Sequence, residues 1–170
     1  MKIAIKHKNA FIKNAIILEI GKIKNAKKEK PMFKRKIYDK MLQWKNESGG
    51  NTALLVEGAR RIGKSTVVEE FAKNEYESYI LVDFATASKE VRELFDDVSD
   101  LNYLFLQLQL QYRKDLHERR SVIIFDEVQL CPMARQAIKT LVKDHRYDYI
   151  ETGSLISVRS KSRDIIIPSE

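Results

Sequence analysis

The 170-residue sequence predicts an α/β fold, a parallel sheet with helices packed on both of its faces. Three observations carry that expectation. A glycine-rich loop joins an apolar run to a helical stripe. Two later apolar runs end in carboxylates. The segments between the runs have the composition of crossover helices, which parallel strands require. The length suits one domain with a real core.

Phe33, Ile37, Met41 and Trp44 recur at near-helical spacing and predict a first helix, followed by the linker Asn46-Glu47-Ser48-Gly49-Gly50-Asn51. Thr52-Ala53-Leu54-Leu55-Val56-Glu57 then reads as a short buried strand. It leads into Gly58-Ala59-Arg60-Arg61-Ile62-Gly63-Lys64-Ser65, which has the form G-x-x-x-x-G-K-S of a loop that wraps phosphates. Gly58 and Gly63 let the backbone turn and bring its N–H groups close to anionic oxygens. Lys64 supplies a mobile positive charge for the β- and γ-phosphates, and the Ser65 hydroxyl can ligate Mg²⁺. Thr66 completes the candidate set at the start of a helix whose positive end adds to the anion site. Val67, Val68, Phe71 and Ala72 give that helix its packing stripe. Arg60 and Arg61 either ligate phosphate or turn outward to acidic neighbours.

Tyr79-Ile80-Leu81-Val82-Asp83 is the next expected strand, with a helix over Val91 to Phe95. Leu104 to Tyr112 alternates Leu and Gln with a period of two, a strand pattern. Leu and Gln nonetheless favour helix, and a crossover is needed before the strand Ser121-Val122-Ile123-Ile124-Phe125-Asp126. The expectation is therefore helix. Asp126 and Glu127 close that strand about 60 residues after the phosphate loop, where the first acid orients Mg²⁺ and the second acts as general base on water. Ala134, Ala137, Ile138, Leu141 and Val142 form a clean helical stripe, with Pro132 in the first turn. A last pair of strands is expected at Tyr147 to Ser154 and at Ile165-Ile166-Ile167. If the former lies between the first two site strands, its carboxyl end faces the γ-phosphate. Ser154 is then the first candidate to sense that phosphate or hold the attacking water, and Thr152 the second.

From about Met32 to Glu170 the chain resembles the AAA-type P-loop ATPases of bacteria and archaea. The resemblance is to a subgroup with G-x-R-R-x-G-K-S, a D-E-V-Q strand end (Asp126 to Gln129) and E-T-G-S-L-I-S (Glu151 to Ser157). It implies a P-loop NTPase three-layer sandwich with strand order 5-1-4-3-2, in which G-x-x-x-x-G-K-S is the Walker A loop and Asp126-Glu127 the Walker B acids. ATP and Mg²⁺ are the implied ligands, and no guanine-selective N-K-x-D is present. It also implies that the first-helix region lies near the adenine ring, where Ile37 or Tyr38 touches the base or packs in the core. Family members continue into a lid and a C-terminal domain of poorly known role. A chain ending at Glu170 would lack both, together with any arginine finger they carry.

The net charge of +7 lies in one segment. Residues 1–30 hold nine lysines against Glu19 and Glu29, and the remaining residues balance. Such an arm, helical or disordered, binds nucleic acid or anionic surfaces, or is a solvated tail, or is upstream sequence not normally translated. The start of the resemblance near Met32 favours the last two. Its apolar stretch is interrupted by Lys13 and Glu19, so it is neither a secretory signal nor a membrane span. The single Cys131 suits a small buried residue in a reducing cytoplasm.

The expected organisation is a Lys-rich extension over 1–30, a helix and linker over 31–51, and an ATPase core over 52–170. The leading function is Mg²⁺-dependent ATP hydrolysis, with Lys64, Glu127 and Ser154 in catalysis and Ser65 and Asp126 on the metal. A nucleotide-binding switch or interaction module with little turnover is the second reading, and a nucleotide-dependent DNA-binding protein the third. A homo-oligomer or a partner protein fits any of them, whereas a membrane fits none. A small-molecule kinase is disfavoured, because the Glu beside Asp126 favours water as acceptor.

Overall fold

A computed structural model of the chain describes residues 36–154, in which strands and helices alternate. Helix α1 (Lys36–Ser48) precedes β1 (Leu54–Gly58), and α2 (Lys64–Glu75) leads to β2 (Ser78–Asp83). The short α3 (Lys89–Glu93) and the longer α4 (Leu101–Tyr112) cross to β3 (Ser121–Asp126). A 3₁₀ turn over Val128–Leu130, α5 (Pro132–Asp144) and β4 (Asp148–Ser154) complete the order. The four strands form one parallel sheet, β1-β4-β3-β2. That is the 1-4-3-2 part of the expected order. The strand expected at 165–167 lies outside the described residues, as do the extension over 1–30 and Phe33.

The sheet is covered on both faces, and period-2 alternation decides which side chain goes where. Val122 and Ile124 of β3, with Val56 and Ile150, pack against Met41 of α1 and Val67, Val68, Phe71 and Ala72 of α2. Ile123 and Phe125, with Ile80, Val82 and Tyr149, pack against α4 and α5 through Leu104, Phe105, Leu108, Ala134, Ala137 and Leu141. Phe84, Phe95 and Phe125 meet with ring centroids 5.3–5.8 Å apart, an arrangement that adds quadrupolar attraction to the buried area. Every residue of β3 is buried, as the central position demands.

Local chemistry sets the element ends. The Asp100 carboxylate accepts from the Tyr103 N–H at 3.0 Å and starts α4, while Ser88 starts α3 in the same way. Pro132 opens α5, where its missing N–H costs nothing. Several expected boundaries shift. Helix α1 runs through Asn46, Glu47 and Ser48, so the linker shortens to the turn at Gly49-Gly50, where φ is +54° and +86°. The helix expected at Val91 to Phe95 begins earlier, because Ser88 caps it, and Phe95 lies in the turn beyond it. Leu104 to Tyr112 is helical as reasoned from propensity, and its alternation is resolved by sidedness. Leu104, Phe105 and Leu108 face the core, while Leu106 and Leu110 face outward. Ile37 and Tyr38 belong to the core alternative. Tyr38 packs edge-on against Phe71 and donates to Glu75 Oε1 at 2.9 Å, at the far end of α2 from Lys64. Among the described residues, no helix is long and apolar enough to cross a membrane.

Candidate nucleotide site

The carboxyl ends of all four strands lie along one edge, and the register brings the polar residues there together. Gly58 pairs with Ser154, Val56 with Thr152, Phe125 with Glu151 and Asp83 with Asp126. The loop from Gly58 passes directly into α2. Gly63, at φ +82°, supplies the left-handed turn that starts the helix, and no side chain caps the first-turn N–H groups. No acid belongs to that first turn, and the positive end of the helix faces the loop.

Lys64 folds back over the loop. Its Nζ donates to the carbonyl oxygens of Gly58, at 3.1 Å, and Ala59, at 2.9 Å. It is only 7% exposed and takes part in none of the ion pairs found among the described residues. A buried ammonium paired only with neutral carbonyls is electrostatically under-compensated, and an anion in the loop would relieve it. Arg60 and Arg61 are exposed on the loop, Arg61 with φ +62°. Neither forms an ion pair with an acidic neighbour among the described residues.

Opposite the loop, the Ser65 hydroxyl donates to Asp126 Oδ1 at 2.8 Å. The Thr152 hydroxyl donates to that same oxygen, and Thr152 Oγ1 accepts from the Glu127 N–H at 3.3 Å. One threonine thus holds the Asp126 carboxylate and the Glu127 backbone. Ser154, the first candidate from sequence, is buried at the end of β4 beside Gly58, on the same strand face as Thr152. Glu127 itself leaves the strand in a left-handed conformation, φ +51°, and its carboxylate accepts from Gln129 Nε2. Ser65 and Asp126 form a small all-oxygen donor pair, and no cluster of three or more His, Cys, Asp or Glu occurs among the described residues. That set fits Mg²⁺, which is commonly held by one or two protein oxygens together with phosphates and water.

Two further polar features were not legible from sequence. Arg92 reaches from α3 to the carbonyls of Phe84, Ala87 (3.2 Å) and Leu130 (3.0 Å), tying the end of β2 to the turn after Glu127. Glu151, on the opposite face of β4 from Thr152, is 6% exposed. Burial pushes its carboxyl up to about 7, against the opposing pull of Arg135, whose Nε lies 4.0 Å away. Cys131 is buried at the start of α5, and burial raises its thiol pKa.

Residues 50–165 match the family model described as an AAA domain. Among solved structures, the chain is similar to a Walker-type ATPase of Pyrococcus abyssi, with 20% identity and a TM-score of 0.48. The similarity covers 79% of this chain and 49% of that one, so this chain spans about half of its length. The comparison with curated proteins returns no match. With the family model matched over more than half of its residues, the chain belongs to the AAA family of P-loop ATPase domains.

Proposed function

We propose that this domain binds ATP with Mg²⁺ and hydrolyses it. The observation that carries the reading is the convergence of Lys64, Ser65, Asp126 and Glu127 at one sheet edge, with Lys64 buried and in no ion pair among the described residues. Backbone N–H groups from Gly58 to Thr66, together with the N-terminus of α2, take the phosphates, and Lys64 turns from its two carbonyls to the β- and γ-oxygens. Ser65 and Asp126 would hold Mg²⁺, which would supply neutralisation of phosphate charge. Glu127 takes a proton from the attacking water, and Ser154 senses or holds the γ-phosphate end. Thr152 keeps the Asp126 carboxylate and the Glu127 backbone in place. Catalysis rests on positioning and electrostatics, with no covalent intermediate on the protein. A cytoplasmic location and ATP as the nucleotide are parts of the same proposal.

ATP titration by calorimetry and a phosphate-release assay test it together. Lys64→Ala is expected to lose ATP binding, and Glu127→Gln to bind ATP while turnover falls by about 10²–10⁴-fold, the usual worth of a general base. Normal turnover by Glu127→Gln refutes the base assignment. Binding by the wild-type chain without phosphate release replaces hydrolysis with a nucleotide-dependent switch.

A further inference from the structure

Gln129 is buried, 4% exposed, in the turn that follows Glu127. Its Nε2 donates to Glu127 Oε2, while its Oε1, shut off from solvent, has no hydrogen-bond partner among the described residues. The amide thus presents its nitrogen to the Glu127 carboxylate and leaves its oxygen unmatched among the described residues. A buried amide with its oxygen unmatched is costly, and an apolar side chain of similar length would avoid that cost. What the amide contributes in this turn is its donor end.

The backbone of the turn does not depend on that side chain. Val128 is fully buried in the core. The Leu130 N–H donates to the Glu127 carbonyl at 2.9 Å, Arg92 holds the Leu130 carbonyl at 3.0 Å, and Thr152 receives the Glu127 N–H at 3.3 Å. These contacts fix where Glu127 starts and leave its three side-chain torsions open. Among the described residues, the bond from Gln129 is the one hydrogen bond recorded for the Glu127 carboxylate.

We propose that Gln129 is a positioning residue that holds the Glu127 carboxylate ready for the attacking water. The role rests on Glu127 being the general base. A base must stay within hydrogen-bond reach of the proton it takes, and a displacement of about 1 Å can cost about 10²-fold in rate. Gln129→Met keeps the volume and removes the donor. Gln129→Glu sets a like charge against Glu127.

The test measures ATP affinity by calorimetry, kcat by phosphate release, and the side-chain amide signals of the ¹⁵N-labelled full chain. In Gln129→Met, kcat is expected to fall by about 10–100-fold with ATP affinity unchanged, and in Gln129→Glu to fall at least as far. The amide signal lost in Gln129→Met, which identifies Gln129, is expected to shift in Glu127→Ala. Wild-type kcat in Gln129→Met overturns the role, as does an equal loss of affinity and kcat. So does a Gln129 amide signal indifferent to Glu127→Ala. A wild-type chain that binds ATP but releases no phosphate removes Glu127 as base, and the amide signal then still decides whether Gln129 holds its carboxylate.

Discussion

Glu151→Gln separates the stability of the sheet from the chemistry at its edge, and its effect can be worked out from burial. Glu151 sits in β4 with its carboxyl raised from the ordinary 4.5 to about 7, chiefly by burial, with Arg135 pulling the other way. Between those two values the folded chain keeps a proton that the unfolded chain has released. The native state then binds more protons, so stability falls as pH rises through the window and levels off above about 7. At about 1.36 kcal/mol per pKa unit, the total is about 3 kcal/mol. Glutamine keeps the shape and does not titrate, so all other groups cancel in the difference between the two chains. Guanidinium unfolding of wild type and Glu151→Gln at pH 4.5 and pH 8 is the assay. The variant is expected to gain about 3 kcal/mol on wild type across that interval, a figure that already includes the pull of Arg135. Stability differences that stay parallel from pH 4.5 to 8 refute the account of Glu151 as a carboxyl held neutral by burial.

Two other perturbations follow from the hydrogen bonds. Thr152→Val removes the donor to Asp126 and the acceptor for the Glu127 N–H at near-constant shape. It is expected to cost about 1–3 kcal/mol of stability, by chemical unfolding, and to lower turnover, with Thr152→Ser restoring both. Tyr76→Phe removes the phenol that donates to Asp148 Oδ2 at 2.7 Å, on a buried carboxylate also held by Arg119 at 2.8 Å. A bond to a charged group is worth about 1.5–3 kcal/mol, and a loss of that size in guanidinium unfolding is expected with ATP binding unaffected.

How much of this was legible depended on whether a residue's partner lay within its own pattern. The phosphate loop, α2 and the fully buried β3 were readable because glycine placement and apolar periodicity are local. So was α4, once propensity and the need for a crossover were set against its period-2 alternation. The misplaced helix ends came from one side-chain cap and one glycine turn. Ser88 moves the start of α3 forward, and α1 continues through three polar residues up to the Gly49-Gly50 turn. That Thr152 is the hydroxyl bonded to Asp126 could not be read in the same way. Thr152 and Ser154 are both small, hydroxylic and on one strand face, and only the pairing of β4 with β3 tells which stands level with Asp126. Gln129, Arg92 and the Arg135–Glu151 pair were hidden for the same reason. Each is defined by a contact made after the turn or sheet has formed.

That dependence on register explains how the core and the site constrain each other. Asp126 meets Ser65 only because β3 alternates, with Val122 and Ile124 toward α2 and Ile123 and Phe125 toward α4 and α5. A slip of one residue would exchange the two sets. Asp126 would then point away from α2, and the Ser65–Asp126 donor pair would be lost. The same slip would place Phe125, which closes a three-ring cluster with Phe84 and Phe95, on the α2 side. With aromatic bulk on one face and Val-Ile on the other, that exchange overpacks one layer and leaves a cavity in the other. The apolar residues of β3 therefore do more than bury area. They lock the strand so that the polar residue at its end stands against the phosphate loop, and the pairing of Phe125 with Glu151 carries that lock to Thr152. Geometry at the Asp126-Glu127 edge is thus set by packing several residues away, and substitutions that change side-chain volume at Ile123 or Phe125 act on the site through register as well as through stability.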